Sequence, residues 1–188
     1  DKLLSKFFVK SVDGFVCMSK QVFNDLEILD SKVNKINSYH PIYDNFGKSI
    51  TKQQSITNLK LNGDYKHILF FGIIRKYKGL DLLIKAFSKL KHEKIRLIIA
   101  GEFYDNQDYY LDLIQSLGLD DSIILKNEFI PDDMVVNYFC SCDIVAQPYK
   151  SATQSGVTQI AYHFEKPMLV TDVGGLAEIV KHDVSGYV

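Results

Sequence analysis

Residues 67–87 read HILFFGIIRKYKGLDLLIKAF, and this stretch decides the fold class. Ile68 to Phe71 form an unbroken apolar run, the pattern of a strand buried on both faces, as in a parallel sheet. Gly72 ends that run, and from Leu80 onward the apolar residues fall at helical spacing: Leu80, Leu83, Ile84, Phe87 and Leu90. Strand, short glycine-bounded loop and amphipathic helix make half of a βαβ unit. The same alternation extends outward in both directions. Strands are expected over 14–19, 35–39, 67–72, 96–101, 123–130, 143–147, 168–171 and 186–188. Helices are expected over 80–90, 107–117, 132–142, 155–164 and 175–181, with Gly118 as a stop and Pro131-Asp132-Asp133 as a start. Right-handed crossovers through these helices predict an α/β fold with a doubly wound parallel sheet.

One segment breaks the rhythm. Residues 43–65 are polar, with Gly47, Gly63 and several Asn, Gln and Ser, interrupted by a short amphipathic helix near 52–61. The expected organisation is therefore the end of one domain over 1–45, a connection over 46–64, and a nearly complete second domain over 65–188 that is cut short at its C-terminus. The abrupt beginning, with KLLSKFF at residues 2–8, suggests a piece of a longer protein.

Composition narrows the function classes. Of 188 residues, 46% are hydrophobic and 24% charged, which excludes disorder and collagen, and the net charge of −1 gives no reason to expect nucleic acid as a partner. The three cysteines, Cys17, Cys140 and Cys142, make neither a disulfide framework nor a four-ligand zinc site; they read as small buried hydrophobes in a reducing, cytoplasmic setting. No run of 18 apolar residues reads as a transmembrane helix, and residues 1–10 do not read as a signal peptide. His67, His92, His163 and His182 lack metal-binding spacing, so no metal is expected. His40 reads as structural, with a cleft-facing role as the rarer alternative.

Three strand-to-helix loops carry the candidate chemistry. Gly72 to Gly79 holds Arg75 and Lys78, a guanidinium fork and a point charge suited to phosphate oxygens, beside a helix N-terminus. A solvated basic loop is the plainer alternative. The loop is neither G-x-G-x-x-G nor a Walker A sequence, which weighs against a dinucleotide or P-loop site. Ser151-Ala152-Thr153-Gln154-Ser155-Gly156-Val157 is small, polar and free of acid, able to bring backbone amides close to a phosphate or to sugar hydroxyls; capping by Thr153 or Ser155 is the alternative. Thr171 to Glu178 turns through Gly174-Gly175, which a simple turn also explains. No Ser/His/Asp set or carboxylate pair emerges from spacing, and the catalytic residues stay unassigned.

Taken together, the run HILFFG at 67–72, Arg75, KGLDLLIKAF at 78–87, LIIAGE at 97–102, FIP at 129–131, CDIVAQPY at 142–149 and KPMLVTDVGGLAEIV at 166–180 resemble the C-terminal half of family four (group 1) glycosyltransferases of the GT-B fold. Residues 1–45 look like the last part of such an enzyme's N-terminal domain. The resemblance implies two Rossmann-like domains, the second binding a nucleotide-diphosphate sugar and the first, here partial, binding a glycan or lipid-linked acceptor. It implies that Arg75 and Lys78 neutralise the donor diphosphate without a metal or other cofactor, that Gly72 borders the donor, that Thr153, Gln154, Ser155 and Gly156 meet the diphosphate or sugar, and that the base rests near Phe129–Pro131.

One departure accompanies the resemblance. The family commonly carries two glutamates eight positions apart, and counting back from Pro167 places them at Ala152 and Ile160, neither able to accept hydrogen bonds through a carboxylate. Gln159 is the candidate ribose contact in their stead. The expected activity is a retaining transfer of a hexosyl group in bacterial polysaccharide synthesis, at the cytoplasmic face, with room for peripheral membrane association of the full-length enzyme. The chain alone is expected to bind nucleotide and turn over little. The alternatives are a nucleotide-sugar epimerase of the same architecture and a non-catalytic nucleotide-sugar-binding protein.

Overall fold

A computed structural model describes residues 2–90 and 92–188, and side chains from residue 4 onward. Along the chain run α1 (Lys2–Lys10), β1 (Phe15–Cys17), α2 (Lys20–Leu29), β2 (Lys35–Asn37), α3 (Lys52–Asn58), β3 (Lys66–Phe71), α4 (Leu80–Phe87), β4 (Ile95–Ala100), α5 (Gln107–Ser116), β5 (Ile123–Lys126), α6 (Asp132–Ser141), β6 (Ile144–Gln147), α7 (Gly156–His163), β7 (Met168–Val170), α8 (Leu176–Ile179) and β8 (Gly186–Tyr187). Six strands form one parallel sheet in the order β5-β4-β3-β6-β7-β8, while β1 and β2 pair separately, also in parallel.

The order reverses between β3 and β6. From β3 the chain builds outward to β5, then returns to the other side of β3 and builds outward to β8. The loops leaving β3 and β6 therefore diverge to opposite faces and open a crevice at the carboxyl edge of the sheet, where doubly wound folds bind ligands.

The strands are apolar throughout because both faces are covered. On one face Phe70, Leu97, Ile99 and Ala146 pack with Leu80, Ile84 and Phe87 of α4 and with Tyr110 and Ile114 of α5. On the other, Leu69, Ile98 and Val145 pack with Tyr138 and Phe139 of α6 and Ile160 and Ala161 of α7. Each fully buried Leu, Ile or Phe in these layers contributes about 1.5–3 kcal/mol relative to exposure.

Several expected boundaries move. The strand expected over 123–130 ends at Lys126, because Asn127 leaves the ladder: its side chain accepts from the Phe103 amide (3.3 Å) and donates to Gln107 (2.7 Å). The strand over 35–39 stops at Asn37, α4 passes into a 3₁₀ turn at Ser88–Leu90, and α8 is only four residues long. Helices α1 and α2 lie where none was expected. In α1, Leu4, Phe7 and Phe8 face solvent and Val9 is buried; in α2, Val22, Phe23, Leu26 and Leu29 line one face at helical spacing and pack with Val9 and Cys17, although only Leu26 of the four is fully buried.

The polar connection is tied to the large sheet. A capping box of Thr51 and Gln54 starts α3. Lys52 then reaches the Asp143 carboxylate at 2.6 Å, which also accepts the His67 amide at 2.8 Å, and Asn58 donates to Asn137 of α6 at 2.7 Å. Paired this way, Asp143 has its pKa held below the ordinary carboxylate value: its partial burial opposes that shift, and the bonds from Lys52 and the His67 amide, with the nearby Lys66 charge, outweigh it.

Candidate functional site

The β3–α4 loop, 72–79, leaves the sheet at Gly72 and closes in a 3₁₀ turn over Lys76–Lys78. Gly79 joins that turn to α4 with φ of +69°, and a Cβ there would overlap the Pro148 carbonyl oxygen, so the close approach of the β3 and β6 loops needs glycine at this position. The Lys150 amide donates to the Tyr77 carbonyl at 2.7 Å, and the Lys150 ammonium reaches Asp81 at 2.7 Å. Main chain and side chain thus clamp the two loops together across the switch point.

Lys78 points inward. It is 8% exposed, and its ammonium lies 5.7 Å from the centre of the Tyr149 ring. A Cβ placed on Gly72 would sit 3.3 Å from that ammonium and 3.8 Å from Val157 at the start of α7. Burial, and then the charge of Arg75, lower the Lys78 pKa from 10.5 to about 8. Arg75 is fanned outward over the Tyr104 ring at 5.3 Å. Among the described residues no carboxylate forms an ion pair with Lys78. A buried cation of this kind is costly until an anion arrives. This disagrees with a merely solvated basic loop.

Loop 151–156 supplies the opposite wall. Ser155 is the N-cap residue of α7, yet no side chain caps that helix; the Ser155 hydroxyl faces the Tyr149 hydroxyl instead, at 3.3 Å. Capping by Thr153 or Ser155 is therefore not what the loop does. Burial raises the Tyr149 pKa to about 12, keeping it a neutral donor. Behind the loop stands the Gly174-Gly175 turn, where a Cβ on Gly174 would overlap the Ala152 carbonyl oxygen.

The expected site residues divide into three places. Gly72, Arg75, Lys78, Ser155 and the start of α7 at Gly156 gather at the crevice. Thr153 and Ala152 line a cavity of about 500 Å³ facing Gln21 and Asp25 of α2, while Gln154 is exposed. Gln159 is 3% exposed and lines a separate cavity of about 310 Å³ with Tyr39, His40 and Glu178; Ile160 is core. A small apolar pocket of about 100 Å³ lies between Phe71, Gly72, Gly101, Glu102, Phe129 and Ile130. Sequence reasoning missed Tyr149, Lys150, Asp25 and Glu178. Tyr149 and Glu178 lie inside the matched text and Lys150 directly follows CDIVAQPY, so all three could have been found; Asp25 acts from an element remote in sequence. Among the described residues no group of three His, Cys, Asp or Glu converges as a metal site, and no helix is long and apolar enough to cross a membrane.

A family model described as glycosyl transferases group 1 matches residues 51–188. An uncharacterised glycosyltransferase of Methanocaldococcus jannaschii is 34% identical over 130 residues, covering 69% of this chain and 33% of its own length. Sucrose-phosphate synthase of Thermosynechococcus elongatus superposes with a TM-score of 0.88 at 18% identity, covering 99% of this chain and 47% of its own. HepE of Anabaena, in complex with UDP and glucose, superposes with a TM-score of 0.83 at 20% identity, covering all of this chain and 53% of its own. The chain thus spans between a third and about half of these proteins.

Proposed function

The chain belongs to the group 1 glycosyltransferases, and from that premise we propose that it is the donor-binding half of an enzyme that transfers a hexosyl group from a nucleotide-diphosphate sugar to a hydroxyl of a glycan or lipid-linked acceptor in polysaccharide synthesis. The observation that carries the reading is the buried Lys78 ammonium near Arg75, at the switch point of the sheet and, among the described residues, without a carboxylate paired to it. A diphosphate is the ligand that satisfies both cations. The UDP and glucose held by HepE, a protein of the same fold, are the two parts of a donor of the proposed class.

In the proposed reaction the bond from the anomeric carbon to the β-phosphate oxygen breaks, and its electron pair leaves with the nucleoside diphosphate. A bond from the acceptor oxygen forms at the same carbon, and the acceptor hydroxyl gives its proton to the departing diphosphate. Arg75 and Lys78 meet the charge that grows on the leaving oxygen, a preorganised electrostatic contribution made in a partly dry crevice. The uncapped start of α7 offers its first amides to the same phosphates. The apolar pocket beside Phe129 and Ile130 takes the base. Retention at the anomeric carbon is part of the proposal, as is work at the cytoplasmic face of the membrane. We assign 65–188 as the donor domain and 1–45 as the end of the acceptor-side domain.

A thermal-shift panel of UDP, GDP and ADP and their sugars tests the reading. A ligand at 100 times its dissociation constant stabilises the fold by about 2.7 kcal/mol. Failure of every nucleotide to shift the melting temperature would refute it.

A further inference from the structure

The cavity between α2 and loop 151–156 is chemically unlike the anion crevice beside it. It is an open depression of about 500 Å³ lined by Gln21, Asp25, Lys150, Ser151, Thr153 and Val173, with Ala152 and Gly174 between them. Amide, carboxylate, ammonium and hydroxyls supply both donors and acceptors, and Val173 is the one branched aliphatic side chain among them. That is the complement of a polyhydroxylated ring rather than of an apolar side chain or of a metal ion, for which one carboxylate is too few.

Asp25 is the one acid in this lining. Its Oδ1 accepts from Gln21 Nε2 at 2.9 Å, one helical turn earlier, while among the described residues nothing pairs with Oδ2. The Lys150 ammonium is turned to Asp81 and leaves Asp25 unneutralised. The position of α2 is itself fixed from the other unit. Glu178 of α8 accepts the amides of Lys20 and Gln21 at 2.7 and 2.9 Å, so the carboxylate sits on the first turn of α2, and a Cβ on Gly175 would lie 2.7 Å from Ser19. Through the Gly174-Gly175 turn the same α8 segment backs the carbonyls of Ala152 and Thr153. One short element therefore sets the gap between the two walls.

We propose that Asp25 is a specificity-determining residue that accepts hydrogen bonds from ring hydroxyls of the transferred glycosyl group, with Ser151 and Thr153 facing the opposite edge of that ring. The inference rests on the nucleotide-sugar reading above. It supplies, from a helix some 130 positions upstream, the carboxylate that loop 151–156 does not contain.

Calorimetric titration of the chain with UDP, GDP and ADP, and then with the glucose, galactose, mannose and N-acetylglucosamine derivatives of each diphosphate that binds, separates the two ideas. Position 25 is exposed on a helix, so Asp25→Ala keeps the fold, which its melting temperature verifies. The expected result is a nucleoside diphosphate affinity within about twofold of the parent chain and a loss of about tenfold in the affinity of the preferred sugar nucleotide. Asp25→Asn, which keeps an acceptor oxygen, loses less. An unchanged ratio of the two affinities in Asp25→Ala, or equal binding of every sugar nucleotide and its diphosphate by the parent chain, overturns the role of Asp25 alone. Absence of any diphosphate binding overturns the nucleotide-sugar reading and this inference with it.

Discussion

The loop after β3 buries a charge against the sheet, whereas the loop after β6 carries no charge between Ser151 and Val157 and faces a carboxylate that belongs to a distant helix. Both leave adjacent strands at the same switch point, and Lys150 binds them together. The first can recognise an anion by itself, because Arg75 and Lys78 are neighbours in sequence and their geometry follows from one 3₁₀ turn. The second becomes a site only when α2 is brought over it. Charge placed locally gives affinity for phosphate; neutral small residues leave room for a wall supplied from elsewhere.

The largest effect should come from the first loop. Replacing both Arg75 and Lys78 with alanine is expected to weaken nucleoside diphosphate binding about 100-fold or more, since two charge-assisted contacts are lost. The same variant should melt at or above the temperature of the parent chain, because a buried ammonium no longer has to be desolvated. Retained affinity in a folded double variant would erase the contrast between the loops.

A pH series sharpens the contrast. Lys78 in the free protein has its pKa lowered to about 8, from 10.5, by burial and by Arg75. Above pH 8 the free site loses its proton, so diphosphate affinity should fall, by about tenfold at pH 9 relative to pH 7 if only the ammonium binds. The sign for folding is the reverse. The unfolded chain holds the lysine proton up to its ordinary pKa, so the cost of burying the charge is full below pH 8 and is relieved as pH rises between the two values. Titrations in buffers of differing ionisation enthalpy at pH 8 should register proton uptake on binding, and the Lys78→Met chain should not.

The smallest effect separates the second loop from an ordinary helix cap. Thr153→Ala should change unfolding free energy by less than about 0.5 kcal/mol, because no side chain caps α7. Thr51→Ala, which breaks the capping box of α3, should cost about 1 kcal/mol in the same denaturant titration. Equal losses would return loop 151–156 to a capping role.

Legibility followed burial. Strands β3 and β4 stand out in the sequence because Ile68 to Phe71 and Leu97 to Ala100 contact helices on both faces, which leaves no polar position to interrupt the run. Helix α2 carries a weaker signal: after Ser19, Val22, Phe23, Leu26 and Leu29 recur at helical spacing, but all except Leu26 are only partly buried, against strands three residues long. The strand expected through residue 130 overruns β5 because Phe129 and Ile130 continue the apolar pattern, although Phe129 is 66% exposed at the rim of the small pocket.

The order of short apolar runs and amphipathic helices, the glycines between them, and the pair Arg75 and Lys78 were determined by the sequence alone, since each depends on residues within a few positions of one another. Tertiary structure alone decided that Lys78 lies buried against Tyr149, that Glu178 holds the first turn of α2, and that Asp25 faces Ser151 and Thr153. Those pairings join residues separated by 71 to more than 150 positions, and a contact of that range exists only once the sheet has set the distance between the loops.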